Sequence, residues 1–293
     1  MKREDRSKQS AHAMGIDVGA TLIKTARLRD GDDSPTLGTE SMDQLDALAA
    51  ALDSQYPAQL VLTGGGATEL VRRLRGAPRT IGEFEAWGRG ASGLLKDMGL
   101  DPTEPYLLVS IGTGCSALRV EGESVTRVGG TALGGGTLLG LGMALLGTRD
   151  YDEICNLALG GDRRNVDLLV GDIGGGDNIA LARDLNAASF AKLARNDSEP
   201  TTRREDLADA LLGLLGENIG LICAGLAATA GVSRVVFGGS ALRATPSLVN
   251  LLEAITRLHG FEPVLLREGE YAGSLGALAL AVEAGKPGGR NPR

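Results

Sequence analysis

Histidine is nearly absent from this chain of 293 residues. His12 and His259 are the two that occur, and they stand far apart. A histidine-based metal centre therefore has no ligand set to draw on. Cysteine is scarce as well: Cys115, Cys155 and Cys223 are odd in number, widely spaced and lack a CxxC pair. That is the pattern of reduced, buried thiols in a cytoplasmic protein, not of a disulfide framework. Aromatic residues make up 3% of the chain, so alanine, leucine and glycine must fill the interior. No dense basic run occurs and the formal net charge is −7. This argues against nucleic acid as the main partner but leaves a nucleotide open, since a nucleotide needs a few local donors. The longest apolar stretch, residues 219–230, is shorter than the roughly 20 residues a membrane helix needs. The residues before Met14 are charged and carry no apolar signal-peptide core, so neither a membrane nor export is expected.

Glycine, in contrast, is abundant at 44 residues, and it gathers where apolar runs end. Residues 106–142 show this most plainly. An apolar run over 106–111 breaks at Gly112-Thr113-Gly114, resumes over 115–120, turns at Glu121-Gly122-Glu123 and returns over 125–128. Two short runs about a glycine-containing turn read as a β-hairpin. Gly129-Gly130 and Gly134-Gly135-Gly136 follow, with a helical pattern (Leu138, Leu141, Leu145) starting at once. Glycines before a helix can leave amides directed at a phosphate. Thr113, Ser116 and Thr131 add hydroxyls, and Arg127 adds a fork of donors for an anion. Tight turns in a glycine-rich fold are the plainer reading of any one pair.

Three more glycine turns recur along the chain. MGIDVGATLIKTARL reads as two strands about a turn, with Asp17 at the end of the first and Gly19 and Thr21 in the turn. A carboxylate beside backbone donors and a hydroxyl suits Mg²⁺ and phosphate, because the metal bridges the two. Residues 59–63 form a strand running into Gly64-Gly65-Gly66, and residues 234–237 one running into Gly238-Gly239-Ser240. Helical spacing marks 41–52, 80–98, 203–230, 247–258 and 274–283, and residues 151–159 and 165–170 read as helical too. Trp87, on the apolar face of the 80–98 helix, reads as core. Thr80-Ile81-Gly82-Glu83 fits a capping box, in which Glu83 would serve the helix end. These elements predict an α/β protein of two lobes, each a sheet flanked by helices, with the glycine turns facing one cleft. The boundaries expected are 12–104 and 105–286, with 1–11 and 287–293 as tails.

The chain resembles the type II pantothenate kinases, within the superfamily that joins acetate and sugar kinases to actin. GIDVGATLIK resembles the family's first phosphate loop, with Asp17, Thr21 and Lys24 in place. EFEA places the family's catalytic carboxylate on Glu83, VSIGTGCS resembles the second phosphate loop, and RVGGTALGGGT carries the substrate arginine at Arg127. DIGGGD, DLNAASF and EYAGSLGALAL are similar to later family segments, and VVFGGSALR to the adenosine loop at Gly238 and Gly239. The resemblance implies a two-lobed, actin-like (ribonuclease H-like) ATPase fold with the nucleotide in the interlobe cleft. It implies an ATP- and Mg²⁺-dependent phosphorylation of pantothenate by a cytoplasmic homodimer. Asp17 would position the metal, and Gly19, Thr21, Lys24, Gly112, Thr113, Gly114 and Gly134 to Gly136 would hold the nucleotide phosphates. Glu83 would act as base, with Ser116, Arg127 and Ala187 on the acceptor side. Departures fall at Ala20, Asn186, Ala191 and Ile255, most of them on that side. A kinase of the same fold acting on another small hydroxyl compound, and an ATP-binding regulatory module, are the alternatives.

Overall fold

The computed structural model describes residues 12–173, 186–194, 202–243 and 245–285. The tails 1–11 and 287–293, and part of the DIGGGD and DLNAASF segments, lie outside the described residues. The fold repeats one strand plan twice. In the first sheet β1 (Ala13–Val18), β2 (Leu22–Leu28) and β3 (Thr36–Ser41) form an antiparallel meander. β4 (Gln59–Thr63) and β5 (Arg79–Thr80) then add in parallel beside β1, giving the order β3-β2-β1-β4-β5. In the second sheet β6 (Tyr106–Ile111), β7 (Cys115–Glu121) and β8 (Ser124–Thr131) form the meander, and β11 (Arg234–Gly238) and β12 (Glu262–Leu265) add in parallel beside β6. Its order, β12-β11-β6-β7-β8, is the first order again. A short pair, β9 (Leu168–Leu169) with β10 (Asn186–Ala188), stands apart.

Helices cover both sheets. On one face of the first sheet, Ile16, Ile23 and Leu62 meet Leu48 and Leu52 of α1 (Leu45–Ser54) and Leu70 of α2 (Ala67–Arg73). On one face of the second, Val109, Ile111 and Phe237 meet α4 (Gly135–Leu146), α5 (Tyr151–Leu159), α6 (Arg204–Ala230) and α7 (Pro246–Leu258). α6 is the one helix among the described residues long and apolar enough to cross a membrane by length and composition, yet 61% of its apolar window is buried inside the fold.

The remaining two faces are covered by exchange. α3 (Glu83–Asp97), from the first half of the chain, packs Trp87, Leu94 and Leu95 onto Leu108 and Leu118 of the second sheet. α8 (Ala272–Gly285), from the second half, packs Ala277, Leu278 and Ala281 onto Ala13, Ala26 and Val61 of the first. The two helices touch backbone to backbone. A Cβ on Gly90 would overlap the Ala272 carbonyl oxygen, and one on Gly276 that of Ala86. Because the obstacle is backbone, it cannot rotate away. Gly276→Ala is therefore expected to destabilise the fold by about 3 kcal/mol or more, an overpacking cost read in a urea denaturation series.

Four elements differ from the sequence reading. β5 and the start of α3 replace the first turn of the expected 80–98 helix, because Arg79 and Thr80 pair with Val61 and Leu62. β3 is a half-exposed edge strand whose residues lack an apolar alternation. α2 follows the Gly64-Gly65-Gly66 turn, where no helix was expected. The apolar residues 165–170 supply a turn of 3₁₀ helix and β9, since so short a run suits either state.

Candidate active site

The equivalent hairpin turns of the two sheets face each other across a cleft of about 350 Å³. In the β1–β2 turn the Gly19 amide donates to the Leu22 carbonyl at 3.0 Å, and in the β6–β7 turn the Gly112 amide donates to the Gly114 carbonyl at 2.8 Å. The Thr21 and Thr113 hydroxyls lie 3.0 Å apart, so the two turns meet directly. Gly19, Thr21, Lys24, Gly112, Thr113 and Gly114 all line the cleft. Ala20 sits at its edge without a left-handed backbone, so its Cβ is accommodated.

Asp17, next to last in β1, lines the cleft and is paired with Lys24 of β2 and Thr63 of β4. It is 3% exposed, and its carboxylate makes no hydrogen bond or ion pair among the described residues. Glycines bracket its carboxylate. A Cβ on Gly64 would lie 2.5 Å from Oδ1, and one on Gly273 would overlap Oδ2. Burial pushes the carboxyl up from its ordinary 3.8 to about 6; the Lys24 charge opposes this and the Glu83 charge adds to it. A buried carboxylate in this state favours a bound cation. Asp17 and the hydroxyl residues that line the same cleft, Thr21, Thr113 and Ser116, offer hard oxygen donors of the kind that fit Mg²⁺. Among the described residues no three His, Cys, Asp or Glu side chains gather to hold a metal on their own. Such an ion would therefore lean on Asp17, water and phosphate oxygens. Lys24 is 9% exposed and its ammonium forms no hydrogen bond or ion pair among the described residues, which leaves it for an anion in the cleft.

Glu83 is the first residue of α3 and lines the same cleft. The capping-box alternative does not form: the N-cap is Gly82, with no side-chain cap, and Thr80 lies in β5. Glu85, two residues on, pairs with Arg89 at 3.4 Å and does not line the cleft.

The glycines of residues 134–136 stand behind the second turn. The Gly135 amide donates to the Gly112 carbonyl at 2.8 Å and the Gly136 amide to that of Thr113 at 3.0 Å. A Cβ on Gly134 would lie 2.7 Å from the Gly114 Cα. These amides are thus spent on bracing the turn, and the expectation that they point at a ligand gives way to a supporting role. Gly239, with φ of 114°, lines the cleft beside Ser240, while Gly238 is buried behind it.

On the acceptor side Ser116 lines the cleft, whereas Arg127 and Ala187 do not. Arg127 is exposed on β8, where a bulge shifts the register so that Ala117 faces Gly129 and Leu118 faces Arg127. The bulge turns Arg127 to the α3 side of the sheet, with Leu118 and Val125. Its guanidinium lies 3.2 Å from where a Gly130 Cβ would be, and Gly130 pairs with the cleft residue Ser116. Arg127 therefore occupies the rim. Ala187 is exposed on β10, and Ile255 packs on Gly220 of α6. Cleft residues to which the sequence gave no site role are Leu22, Gly65, Trp87, Ser110, Cys115 and Ser240. The glycine run at 64–66 and the four-residue step from Glu83 to Trp87 were the available signals.

Two sheets of one strand plan, with paired phosphate-type turns and acidic residues in the cleft between them, define a two-lobed actin-like ATPase. Solved structures agree on the fold. The activator of the 2-hydroxyisocaproyl-CoA dehydratase from Clostridium difficile, with bound ADPNP, superposes with a TM-score of 0.60 at 18% identity, covering 92% of this chain and 93% of that one. A ROK family glucokinase from Streptomyces griseus, in complex with glucose and AMPPNP, gives 0.57 at 14% identity over 92% and 99%. The Fumble family profile matches residues 92–280. Curated type II pantothenate kinases of Staphylococcus epidermidis and Staphylococcus aureus are 34% and 32% identical to this chain over 267 residues, covering 91% of it and 99% and 98% of the relatives. The chain belongs to the type II pantothenate kinase family.

Proposed function

We propose that the protein transfers the γ-phosphoryl group of ATP to the primary hydroxyl of pantothenate, giving 4'-phosphopantothenate, the first step towards coenzyme A. The observation that carries this reading is the convergence of Asp17, Lys24 and Glu83 on one cleft between two facing glycine turns, in a member of this family. Phosphoryl transfer depends mostly on positioning and on electrostatic stabilisation. The turn amides and hydroxyls of Thr21 and Thr113, with the Lys24 ammonium, hold the phosphates. Asp17 would carry Mg²⁺, which supplies charge neutralisation for the transferred group. Glu83 orients the acceptor hydroxyl and takes its proton. Arg127 reaches in from the rim towards the acceptor's carboxylate, and Gly239 lets the backbone approach the adenosine. Residues 12–104 and 105–286 are taken as the two lobes, exchanging α3 and α8. A cytoplasmic location suits an ATP-consuming enzyme whose three cysteines are free and buried.

A coupled assay of ADP release across pantothenate, pantetheine and several hexoses tests the acceptor. Turnover with pantothenate is expected. Turnover of a hexose with none of pantothenate would overturn the substrate while sparing the fold.

We further infer a homodimer through α6. Its second half keeps Leu221, Ile222, Gly225, Ala228 and Thr229 exposed along one stripe, and Leu221 and Ile222 are among the large exposed apolar residues of the chain. Leu221→Glu is expected to convert a dimer to a monomer in light scattering at micromolar concentration. A wild-type monomer under those conditions would remove the assignment.

A further inference from the structure

Gly239 and Ser240 bring the chain after β11 to the cleft, and what holds this loop lies behind it. Ser240–Leu242 form one turn of 3₁₀ helix, closed by the Leu242 amide donating to the Gly239 carbonyl at 3.2 Å. In the middle of the turn is Ala241, 3% exposed, whose carbonyl accepts from two side-chain hydroxyls. Thr245, 1% exposed just before α7, donates to it at 2.9 Å. Tyr151, the first residue of α5, donates to it through the phenol. The two hydroxyl oxygens stand 3.4 Å apart, so they converge on the two lone pairs of one oxygen. The Tyr151 ring packs against the core cluster that contains Ala241 and Leu248. Burial pushes its hydroxyl well above the ordinary tyrosine range, so it remains a donor at neutral pH.

Ala241 is also where two cleft-facing loops meet. A Cβ on Gly135 would stand 3.6 Å from that of Ala241 and 3.1 Å from the Gly112 carbonyl oxygen, to which the Gly135 amide already donates at 2.8 Å. A Cβ on Gly239 would overlap the backbone of Ile111, the residue before Gly112. The 239–241 loop and the 112–114 turn therefore form one continuous wall, and a displacement of Ala241 reaches both.

We propose that Tyr151, together with Thr245, is a positioning residue for the nucleotide: the two hydroxyls pin the Ala241 carbonyl and so fix the loop at Gly239 and Ser240, and the phosphate turn beside it, before the nucleotide arrives. This rests on the nucleotide reading of the cleft. Neither side chain lines the cleft, so both act through the loop. A wall ordered in advance lowers the ordering cost of binding.

Calorimetric titration of the full-length protein with Mg·ADP tests this. Tyr151→Phe keeps the packed ring and removes one donor. Thr245→Val removes the other, and because the Thr245 side chain makes no cap on α7 the helix end is left as it was. Each single variant leaves the carbonyl one partner and is expected to weaken Mg·ADP binding by roughly 3- to 6-fold, the scale of one hydrogen bond. The double variant leaves a buried carbonyl unpaired and is expected to lose on the order of 100-fold, more than the product of the two singles. In steady state the KM for ATP should rise in step, while the KM for pantothenate stays within about twofold. Tyr106→Phe is the control. It also removes a tyrosine hydroxyl from the core, one that bonds the Ser92 hydroxyl at 3.0 Å, but at the end of β6 away from Gly112. It is expected to lower thermal stability and leave Mg·ADP affinity unmoved, which is all that a merely structural role of Tyr151 would produce. A folded double variant with wild-type affinity overturns the inference, as does an equal rise in the KM for pantothenate. Should the double variant fail to fold, wild-type affinity in both single variants overturns it. Absence of any Mg·ADP binding by the wild type would overturn the nucleotide reading and this inference with it.

Discussion

Glu83→Gln is expected to fold normally and to bind ATP with unchanged affinity, yet to lose on the order of 10²- to 10⁴-fold in turnover, the usual cost of removing a general base. The amide keeps the size and hydrogen-bonding reach of the carboxylate but cannot accept the hydroxyl proton. The structure removes the competing account in which Glu83 serves the helix end: a glutamine would satisfy a capping box as well as a glutamate, but here Thr80 is in a strand and Gly82 is the N-cap. Glu85→Gln provides the control, since that side chain faces Arg89 outside the cleft. It should retain near wild-type turnover. Single-turnover measurements with saturating ATP separate the chemical step from binding. Near wild-type turnover in Glu83→Gln would remove Glu83 from the mechanism.

The strand plan and the two phosphate-type turns were legible because glycine falls where apolar runs stop, and this punctuation survives without knowledge of the tertiary structure. Gly19 and Thr21 could be placed in one turn for the same reason, with Asp17 at the end of the strand before it, as could Gly112 to Gly114; Lys24 came from the family resemblance. Three things were not legible. Exchange of α3 and α8 between the sheets depends on Gly90 and Gly276 meeting backbones remote in sequence, and neither glycine ends an apolar run. The supporting role of residues 134–136 depends on the hydrogen bonds that their amides make to Gly112 and Thr113, whereas the sequence shows a helix start with free donors. The direction of Arg127 depends on a bulge in β8; strict alternation would have set it on the same face as Gly129. Trp87 illustrates a further limit. Helical spacing assigns a side chain to a face, but α3 shows one face to both the core and the cleft, and a large amphipathic ring spans the two.

Asp17→Asn is expected to abolish Mg²⁺-dependent turnover while making the protein more stable. The loss follows from the proposed metal role: such an ion contributes several kcal/mol of transition-state stabilisation, so a decrease of roughly 10³-fold or more is expected. The gain follows from burial. The folded state holds the Asp17 carboxyl near 6 against an ordinary 3.8, chiefly through desolvation, so folding binds its proton more tightly than the unfolded chain does. Its charge therefore weakens the fold: stability from this group is fully present below the ordinary value of 3.8 and is lost as pH rises through that window to about 6. At pH 7 both states are ionised and the cost is on the order of 3 kcal/mol. Asparagine carries no such charge. In urea denaturation the variant should exceed the metal-free wild type by ~2–3 kcal/mol at pH 7, with the difference closing towards pH 4 as the wild-type carboxyl takes up its proton. Added Mg·ADP should reverse the ranking, because binding stabilises the wild type by mass action and the variant far less. A variant less stable than the wild type at pH 7 in the absence of metal would mean that Asp17 is held by favourable partners in the fold, and that its burial serves structure, not a cation.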